Sequence, residues 1–146
     1  MITYSIYIVD DEETIRDGVS LALEADYRVA AFPDAESAID AIKKEAPDLI
    51  LLDIGLPRMS GIEALHEIKE NHPEVLVIMI TAYEDIETVI FAMKAGAYDY
   101  VIKPLHMDAL EVTIQNALET IHLRKEVQVL QEKHLKENIP CLVVTN

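Results

Sequence analysis

The stretch IYIVDDEE, Ile6 to Glu13, joins a short apolar run to four consecutive acidic residues. The apolar part has the length and composition of a buried β-strand. Like charges about 4 Å apart repel each other by roughly 4 kcal/mol at the effective dielectric of a protein surface. A strand end that concentrates negative charge in this way needs a compensating partner, and the rest of the sequence indicates what that partner is.

Short apolar runs alternate with helix-length amphipathic stretches five times, a pattern typical of a parallel sheet with helices on both faces. The predicted strands are Ser5–Val9, Arg28–Phe32, Leu49–Leu52, Val75–Ile80 and Tyr98–Ile102. The signals for helix ends are Asp34 at an N-cap, Ser60 with Glu63 in a capping box, and Gly96 at a helix stop. We therefore predict an α/β fold with an open, five-stranded parallel sheet, which binds ligands at the carboxyl ends of its strands.

The composition limits the class of protein. The 146 residues carry 12 Lys and Arg against 27 Asp and Glu, for a formal charge of -15. Direct nucleic-acid binding by this segment is not expected, because it requires a basic surface. The single cysteine, Cys141, cannot form an internal disulfide, and the sequence contains no secretion leader and no apolar run of about 18 residues. We expect a cytoplasmic protein with one globular domain and no membrane contact.

The last predicted helix runs from about Met107 to Ile139, just before Pro140, and is roughly twice as long as the others. Its first apolar stripe is Leu110, Ile114, Ala117, Leu118 and Ile121, and its second is Leu123, Val127 and Leu130. The step from Ile121 to Leu123 is about 200° around a helix, so the two stripes lie on opposite sides. We expect the first half to dock on the sheet and the second half to pair with another chain. A helix that frays in isolation is the alternative.

These patterns divide the chain into three parts. Residues 1–121 are predicted to form the globular domain, and residues 122–139 a helical, coiled-coil-like linker. Residues 140–146, with the apolar run CLVV, are predicted to be the first strand of a following domain that the sequence truncates.

Three carboxylates are predicted to meet at one edge of the sheet. Asp10 and Asp11 end the first strand, and Asp53 ends the third, in DLILLDIGLP. If these strands are adjacent, the carboxylates face one pocket, where Mg²⁺ would offset their repulsion and keep positions for phosphate oxygens. A favourable position at a helix N-terminus is the alternative for Asp10 and Asp11, and it is the interpretation that we prefer for Glu12 and Glu13. That alternative does not account for Asp53.

The fourth and fifth strands add a hydroxyl and a cation. The stretch VIMITA contains Thr81, and YDYVIKPL contains Lys103 before Pro104. A threonine hydroxyl can donate to a phosphoryl oxygen, and lysine supplies a point charge on a flexible stem. One such residue at a strand end carries little information, but here four of the five strands end in residues of this kind. Together they predict phosphoryl transfer to a carboxylate with the help of Mg²⁺.

The motifs VDDEE, LLDIGLPRMSG, ITA and YVIKPL occur in the order and approximate spacing of a response-regulator receiver domain, over about residues 4–121. The sequence resembles this CheY-like, flavodoxin-like family, whose strand order is 2-1-3-4-5. The resemblance implies that Asp53 accepts a phosphoryl group from a phosphohistidine of a sensor histidine kinase. It also implies that Asp11 and Asp53 bind Mg²⁺ directly with the backbone carbonyl of Gly55, while Asp10 acts chiefly through water.

The same resemblance implies the parts of a switch. Lys103 would contact the phosphoryl group, Thr81 would turn toward it, and Tyr100 would move inward as Thr81 moves. The Lys103–Pro104 bond is commonly cis in the family. Gly55 and Tyr83 occupy positions that tune dephosphorylation. Such a domain assists its own phosphorylation and dephosphorylation, so we expect no turnover of a free substrate and do not class the chain as an enzyme.

Within the family, AYDYVIKPL and the long helix resemble the NtrC class. In that class an ATPase that activates an alternative sigma factor follows the receiver, often with a DNA-binding domain. No GxxxxGK(S/T) loop occurs in the sequence, so the ATPase is expected outside it. Phosphorylation is expected to change how two receivers pair through the fourth helix (about residues 85–95), the fifth strand and the long helix with Leu123, Val127 and Leu130.

Three other interpretations fit parts of the pattern. A phosphatase of the haloacid-dehalogenase type needs a second Asp two residues after the first, where this chain has Gly55. A flavodoxin-type module needs a phosphate-binding loop after the first strand, where this chain has acids. A receiver that signals without phosphate would not need the complete set of residues.

The five histidines, at positions 66, 72, 106, 122 and 134, lie outside the strand ends and do not predict a metal cluster.

Overall fold

A computed structural model describes residues 3–82 and 86–145, with side chains as far as Lys136. Strands and helices alternate along the described residues. The strands are β1 (Ser5–Val9), β2 (Arg28–Phe32), β3 (Leu49–Asp53), β4 (Leu76–Thr81) and β5 (Asp99–Ile102). The helices are α1 (Glu13–Leu23), α2 (Ala35–Lys44), α3 (Gly61–Asn71), α4 (Ile86–Lys94) and α5 (Met107–Thr145). All five predicted strands are present, with bounds that differ from the prediction by no more than one residue.

The strands form one parallel sheet in the order β2-β1-β3-β4-β5. This order confirms the predicted five-stranded, CheY-like architecture. Every residue of β3 and β4 is buried, because helices cover both faces of the sheet there. The two edge strands, β2 and β5, are only partly buried.

Alternate residues of each strand pack against different helix layers, as the two-residue period of a strand requires. One face packs against α2, α3 and α4 through Tyr7, Val9, Ile50, Leu52, Val77 and Met79. The other face packs against α1 and α5 through Ile6, Ile8, Leu49, Leu51, Ile78 and Ile80. The carboxyl ends of the central strands are thus held at one edge by two packed layers.

The predicted helix-end signals are confirmed. The side chain of Asp34 accepts a hydrogen bond from the backbone N–H of Ser37 at 2.7 Å and caps α2. Ser60 and Glu63 form a capping box at the start of α3. Gly96, just after α4, has a φ of 108°, which favours glycine. The Lys103–Pro104 bond is cis, as the resemblance implied.

The long helix α5 has two different halves. The first apolar stripe, which ends at Ile121, is buried against the sheet. From His122 to Lys136 every side chain is exposed. This confirms that the first half docks, and it is consistent with a second half that projects beyond the sheet. The pairing of that second half with another chain stays a prediction.

One prediction about the tail is wrong. The sequence predicted a strand over residues 140–146, but α5 continues through Pro140 to Thr145. A strand needs a neighbouring strand for its N–H and C=O groups, whereas a helix pairs these groups within itself. Three residues named in the predictions lie outside the described residues: Tyr83, Asp85 at the predicted start of the fourth helix, and Asn146 in the tail. The division into globular domain, linker and following domain stays a prediction.

Candidate functional site

The carboxyl ends of β1, β3, β4 and β5 bring Asp10, Asp53, Thr81 and Lys103 together, because the parallel register places these strand ends side by side. Asp10, Asp53 and Thr81 are the buried polar or charged residues of the described chain, with exposed fractions of 0%, 5% and 1%. Buried polar side chains are uncommon unless they are paired or functional. Their concentration at one edge of the sheet marks this edge as the candidate site.

Lys103 joins the parts of this site. Its Nζ lies 3.3 Å from Oδ2 of Asp10, 3.3 Å from Oε1 of Glu12 and 3.4 Å from Oδ2 of Asp53. Its backbone N–H donates to the carbonyl of Thr81 at 2.8 Å, which fixes the base of the side chain next to β4. One ammonium group therefore bridges carboxylates from two separate strand ends.

Asp10 is held in a buried position with incomplete hydrogen bonding. Its Oδ1 accepts a hydrogen bond from the backbone N–H of Glu12 at 2.9 Å. No donor among the described residues makes a hydrogen bond to its Oδ2, although Lys103 is close. Burial raises the pKa of Asp10, and this outweighs the hydrogen bond from Glu12 and the charge of Lys103, which lower it. The site thus leaves a buried carboxylate oxygen able to accept a further partner.

Asp53 has a similar environment. Burial raises its pKa, the negative charge of Asp10 raises it further, and the charge of Lys103 together with the N–H of Gly55 only partly opposes this. The Gly55 N–H donates to Oδ1 at 3.2 Å, while Oδ2 faces Lys103. Gly61, the first residue of α3, packs so tightly behind Asp53 that a Cβ there would lie 2.2 Å from its carbonyl oxygen.

The charge of Lys103 is stabilised by its neighbours. Burial favours the neutral amine, but the negative charges of Asp53 and Asp10 outweigh that effect, so the pKa of Lys103 is raised. Lys103 is therefore a permanent cation at neutral pH. It compensates only part of the charge, since four carboxylates lie at this edge of the sheet: Asp10, Asp11, Glu12 and Asp53.

Three of these carboxylates form a close group. Oxygen atoms of Asp10, Asp11 and Glu12 all lie within 4.8 Å of one another, and Asp10 is buried while the other two are exposed. Asp53 lies outside this close group. Carboxylate oxygens are the ligands that Mg²⁺ prefers, and Oδ2 of Asp10, which accepts no hydrogen bond from the described residues, is suited to a cation. The residues present therefore fit a divalent metal ion.

Thr81 and Tyr100 lie on the β4 and β5 side of the site. The hydroxyl of Thr81 donates to the carbonyl of Ala82 at 3.1 Å. Tyr100 is 41% exposed. Both residues line a cleft of about 460 Å³ between α4 and β5, together with apolar side chains of α4. Tyr100 therefore has space to move inward.

Comparison with known proteins gives the family. A family model described as the response regulator receiver domain matches residues 6–115. The chain belongs to this receiver family. Receiver domains act in phosphorylation-dependent signalling as phosphoacceptors, and they generally bind Mg²⁺ at an acidic pocket.

Three relatives illustrate the similarity of this receiver to known proteins. The nitrogen assimilation regulatory protein NtrX of Azorhizobium caulinodans is 44% identical over 132 residues, which are 88% of this chain and 29% of that protein. The regulatory protein AtoC of Escherichia coli is 33% identical over 147 residues, covering 94% of this chain and 32% of that protein. The crystal structure of the receiver domain of NtrX from Brucella abortus is 43% identical with a TM-score of 0.75, covering 79% of this chain and 98% of that one.

The chain spans less than a third of the length of these two curated relatives and corresponds to their receiver region. Both relatives are regulatory proteins of the NtrC class, so the predicted class is confirmed for the receiver. In the described residues, no helix is long and apolar enough to cross a membrane.

Sequence reasoning missed the place of Glu12. Glu12 and Glu13 were both predicted at the start of the first helix, and the backbone confirms this, since Glu12 is the N-cap of α1 and Glu13 is its first residue. The side chain of Glu12, however, lies 3.3 Å from the ammonium of Lys103 and is therefore part of the candidate site. Its position directly after two site carboxylates is the signal that could have indicated this.

Other predicted residues lie away from the site. Leu123, Val127 and Leu130 are exposed on the second half of α5, with exposed fractions of 50%, 51% and 64%. The acidic group found among the described residues contains no histidine. His72 instead lies near Glu74, and His122 lies one turn before Glu126.

Proposed function

We propose that this receiver is switched by phosphorylation of Asp53. The observation that carries the proposal is the position of the Asp53 carboxylate, which is buried at a strand end with one oxygen at 3.4 Å from the Lys103 ammonium. Burying one carboxylate beside another costs free energy, and such costly groups cluster at functional sites. A cationic partner within reach of the same oxygen supplies the charge compensation that an added phosphoryl group requires.

The proposed donor is a phosphohistidine of a sensor histidine kinase. A carboxylate oxygen of Asp53 forms a bond to phosphorus while the bond between phosphorus and the histidine nitrogen breaks, and the electron pair stays on the imidazole. The receiver contributes position and charge to this exchange and no further covalent chemistry. Lys103 would then contact a phosphoryl oxygen.

Asp10, Asp11, Asp53 and the backbone carbonyl of Gly55 are the proposed holders of Mg²⁺, with Asp10 acting chiefly through water. When bound, the ion neutralises charge on the phosphoryl oxygens. Support comes from the close group of acidic oxygens and from Oδ2 of Asp10, which accepts no hydrogen bond from the described residues. A bound cation would offset the repulsion among the carboxylates at this edge of the sheet.

The switch is proposed to run through Thr81 and Tyr100. A phosphoryl group adds about 1.5 to 2 negative charges at pH 7 and three acceptor oxygens. The hydroxyl of Thr81, now bonded to its neighbour's carbonyl, would turn toward these oxygens, and Tyr100 would enter the cleft beside α4. Shifting a two-state equilibrium from 1:99 to 99:1 takes about 5.5 kcal/mol, which a few charge-assisted hydrogen bonds can supply.

The proposed readout is a change in how two copies pair. Among the exposed apolar residues of α4 and β5, Ile90 and Ile102 line the cleft between these two elements, and Phe91 is exposed on α4 itself. The stripe of Leu123, Val127 and Leu130 would pair the two linkers. In the full-length protein, the proposed outputs are an ATPase that acts on an alternative sigma factor and a DNA-binding domain.

Phosphorylation is tested by intact mass. The wild type is incubated with Mg²⁺ and acetyl phosphate, beside Asp53→Asn and a control, Asp40→Asn, which changes an exposed aspartate of α2. We expect one phosphate on the wild type and on the control, and none on Asp53→Asn. Equal uptake by all three proteins would refute the proposal.

Pairing is tested by light scattering over a range of concentrations, with and without beryllium fluoride as a phosphoryl mimic. Leu130→Ala should weaken association, whereas Val129→Ala should not, because Val129 is equally exposed but lies about 120° around the helix from the stripe. An identical mass with and without the mimic would argue for a constant dimer or a monomer. Equal effects of the two substitutions would argue against the stripe as the pairing surface.

A further inference from the structure

Two consecutive glutamates have different positions in this receiver. Oε1 of Glu12 lies 3.3 Å from Nζ of Lys103, and a Glu12 oxygen also lies within 4.8 Å of oxygens of Asp10 and Asp11. Glu13 is an exposed residue of the first turn of α1. In the described residues, the carboxylate contacts of Lys103 involve Glu12 and the two strand-end aspartates. The sequence places the same charge at both positions, and only one of them reaches the site.

The helix does not require the Glu12 side chain. Glu12 is the N-cap residue of α1, and its side chain makes no capping hydrogen bond to the described residues. The hydrogen bond to Asp10 uses the backbone N–H of Glu12, so it survives a change of side chain. The side chain is also 56% exposed and buries little surface. The helix therefore gives no reason for the Glu12 side chain to point toward Lys103.

We propose that Glu12 is a positioning residue that holds Lys103 in the unphosphorylated receiver and releases it to the phosphoryl group. The inference rests on the proposed function, in which Lys103 contacts the phosphoryl oxygens. An ammonium group has three N–H donors, and three carboxylates already surround that of Lys103. Among these carboxylates, Glu12 and Asp53 accept a hydrogen bond from the ammonium, at 3.3 Å and 3.4 Å, so a phosphoryl oxygen on Asp53 competes with Glu12 for Lys103. Asp10 and Asp53 have buried side chains, with exposed fractions of 0% and 7%, so Glu12 is the partner that can swing into solvent.

This role gives two effects of opposite sign. The carboxylate of Glu12 attracts a cation to the acidic group, but it also competes for Lys103 and repels an anionic phosphodonor. Glu12→Gln keeps the size of the side chain and removes its charge. From the usual worth of an exposed ion pair, Mg²⁺ should bind about two- to fivefold more weakly. Phosphate uptake at saturating Mg²⁺ should become faster by a similar factor.

The experiment compares the wild type, Glu12→Gln and Glu13→Gln in the complete chain. Glu13→Gln removes the same charge from the next residue and controls for net charge. Mg²⁺ affinity is measured by titration of the metal alone, followed through the amide resonance of Gly55. Uptake from acetyl phosphate is measured as an initial rate at saturating Mg²⁺. The side-chain resonances of Lys103 in metal-free protein report its ion pair directly, and they should shift in Glu12→Gln only.

Three outcomes would overturn the inference: identical behaviour of the two variants, slower uptake by Glu12→Gln at saturating Mg²⁺, or an unshifted Lys103 resonance. Wild-type protein that takes up no phosphate, or takes it up equally well as Asp53→Asn, would overturn the proposed function and this inference with it. Phosphorylation at Asp53 combined with identical behaviour of Glu12→Gln and Glu13→Gln would overturn this inference alone.

Discussion

Gly61→Ala tests how tightly the phosphoacceptor strand and α3 are joined. A Cβ at position 61 would lie 2.2 Å from the carbonyl oxygen of Asp53, 2.7 Å from Cα of Ile54 and 2.9 Å from the carbonyl carbon of Asp53. All three atoms belong to the backbone, so no flexible side chain can move aside. The start of α3 must therefore move away from the end of β3.

The size of the effect follows from that movement. An ordinary carbon–oxygen contact is about 3.3 Å, so the helix start must shift by about 1 Å. The hydrogen bond from the Gly61 N–H to the carbonyl of Ile54, now 3.0 Å, would break, and the buried Ala64 and Leu65 would lose their packing. Overpacking costs about 1–3 kcal/mol and a lost hydrogen bond about 1 kcal/mol, so we expect a loss of about 2–4 kcal/mol of stability.

Urea denaturation measures the loss, with Gly18→Ala as the matched control. Gly18 lies inside α1, and a Cβ there meets no described atom within 4 Å. Replacing a glycine inside a helix by alanine should stabilise the protein by about 0.5–1 kcal/mol. The same substitution is thus expected to lower the free energy of unfolding at position 61 and to raise it at position 18. A Gly61→Ala protein as stable as the wild type would refute the packing argument.

Three further results are expected. Burial raises the pKa of Asp10 in the folded protein. Protonated Asp10 therefore contributes its full share to the free energy of unfolding below the ordinary carboxyl pKa, and this contribution is lost as the pH rises through the raised pKa. In metal-free buffer Asp10→Asn should therefore be more stable than the wild type at neutral pH and lose this advantage in acid, as urea unfolding at several pH values will show. Mg²⁺ at 100 times its Kd should stabilise the wild type by about 2.7 kcal/mol and Asp10→Asn by less, measured by thermal unfolding. Asp34→Ala should cost about 1 kcal/mol through loss of the α2 cap, while Asp34→Asn, which keeps the acceptor oxygen, should cost little.

The sheet and the strand-end residues could be predicted from the sequence because both depend on local periodicity. A run that is apolar on both faces, such as LILLD, fits only a central strand of a sheet covered on two sides. Once strands are parallel, their carboxyl ends share one edge, so Asp10, Asp53, Thr81 and Lys103 had to lie near one another. No knowledge of side-chain conformation was needed for that step.

The features that sequence reasoning missed depend on side-chain direction or on distant contacts. The direction of the Glu12 side chain is set by Lys103, which is 91 residues away in the chain. The position of Glu12 next to Asp11 is the one local difference from Glu13, and it does not fix the direction of the side chain. The tail was predicted as a strand because CLVV is apolar and partly β-branched, but intrinsic β-preference is weak without a partner strand, and the helix continues there.

The central claim is that Asp53 forms an acyl phosphate in a Mg²⁺-dependent reaction. Borohydride reduces an aspartyl phosphate to homoserine, so treatment of the acetyl phosphate reaction followed by peptide sequencing in a mass spectrometer identifies the residue that carried the phosphate. We predict homoserine at position 53, formed with Mg²⁺ present and absent when the ion is chelated. Homoserine at Asp10 or Asp11 in place of Asp53, or an equal yield at Asp53 without Mg²⁺, would contradict the claim.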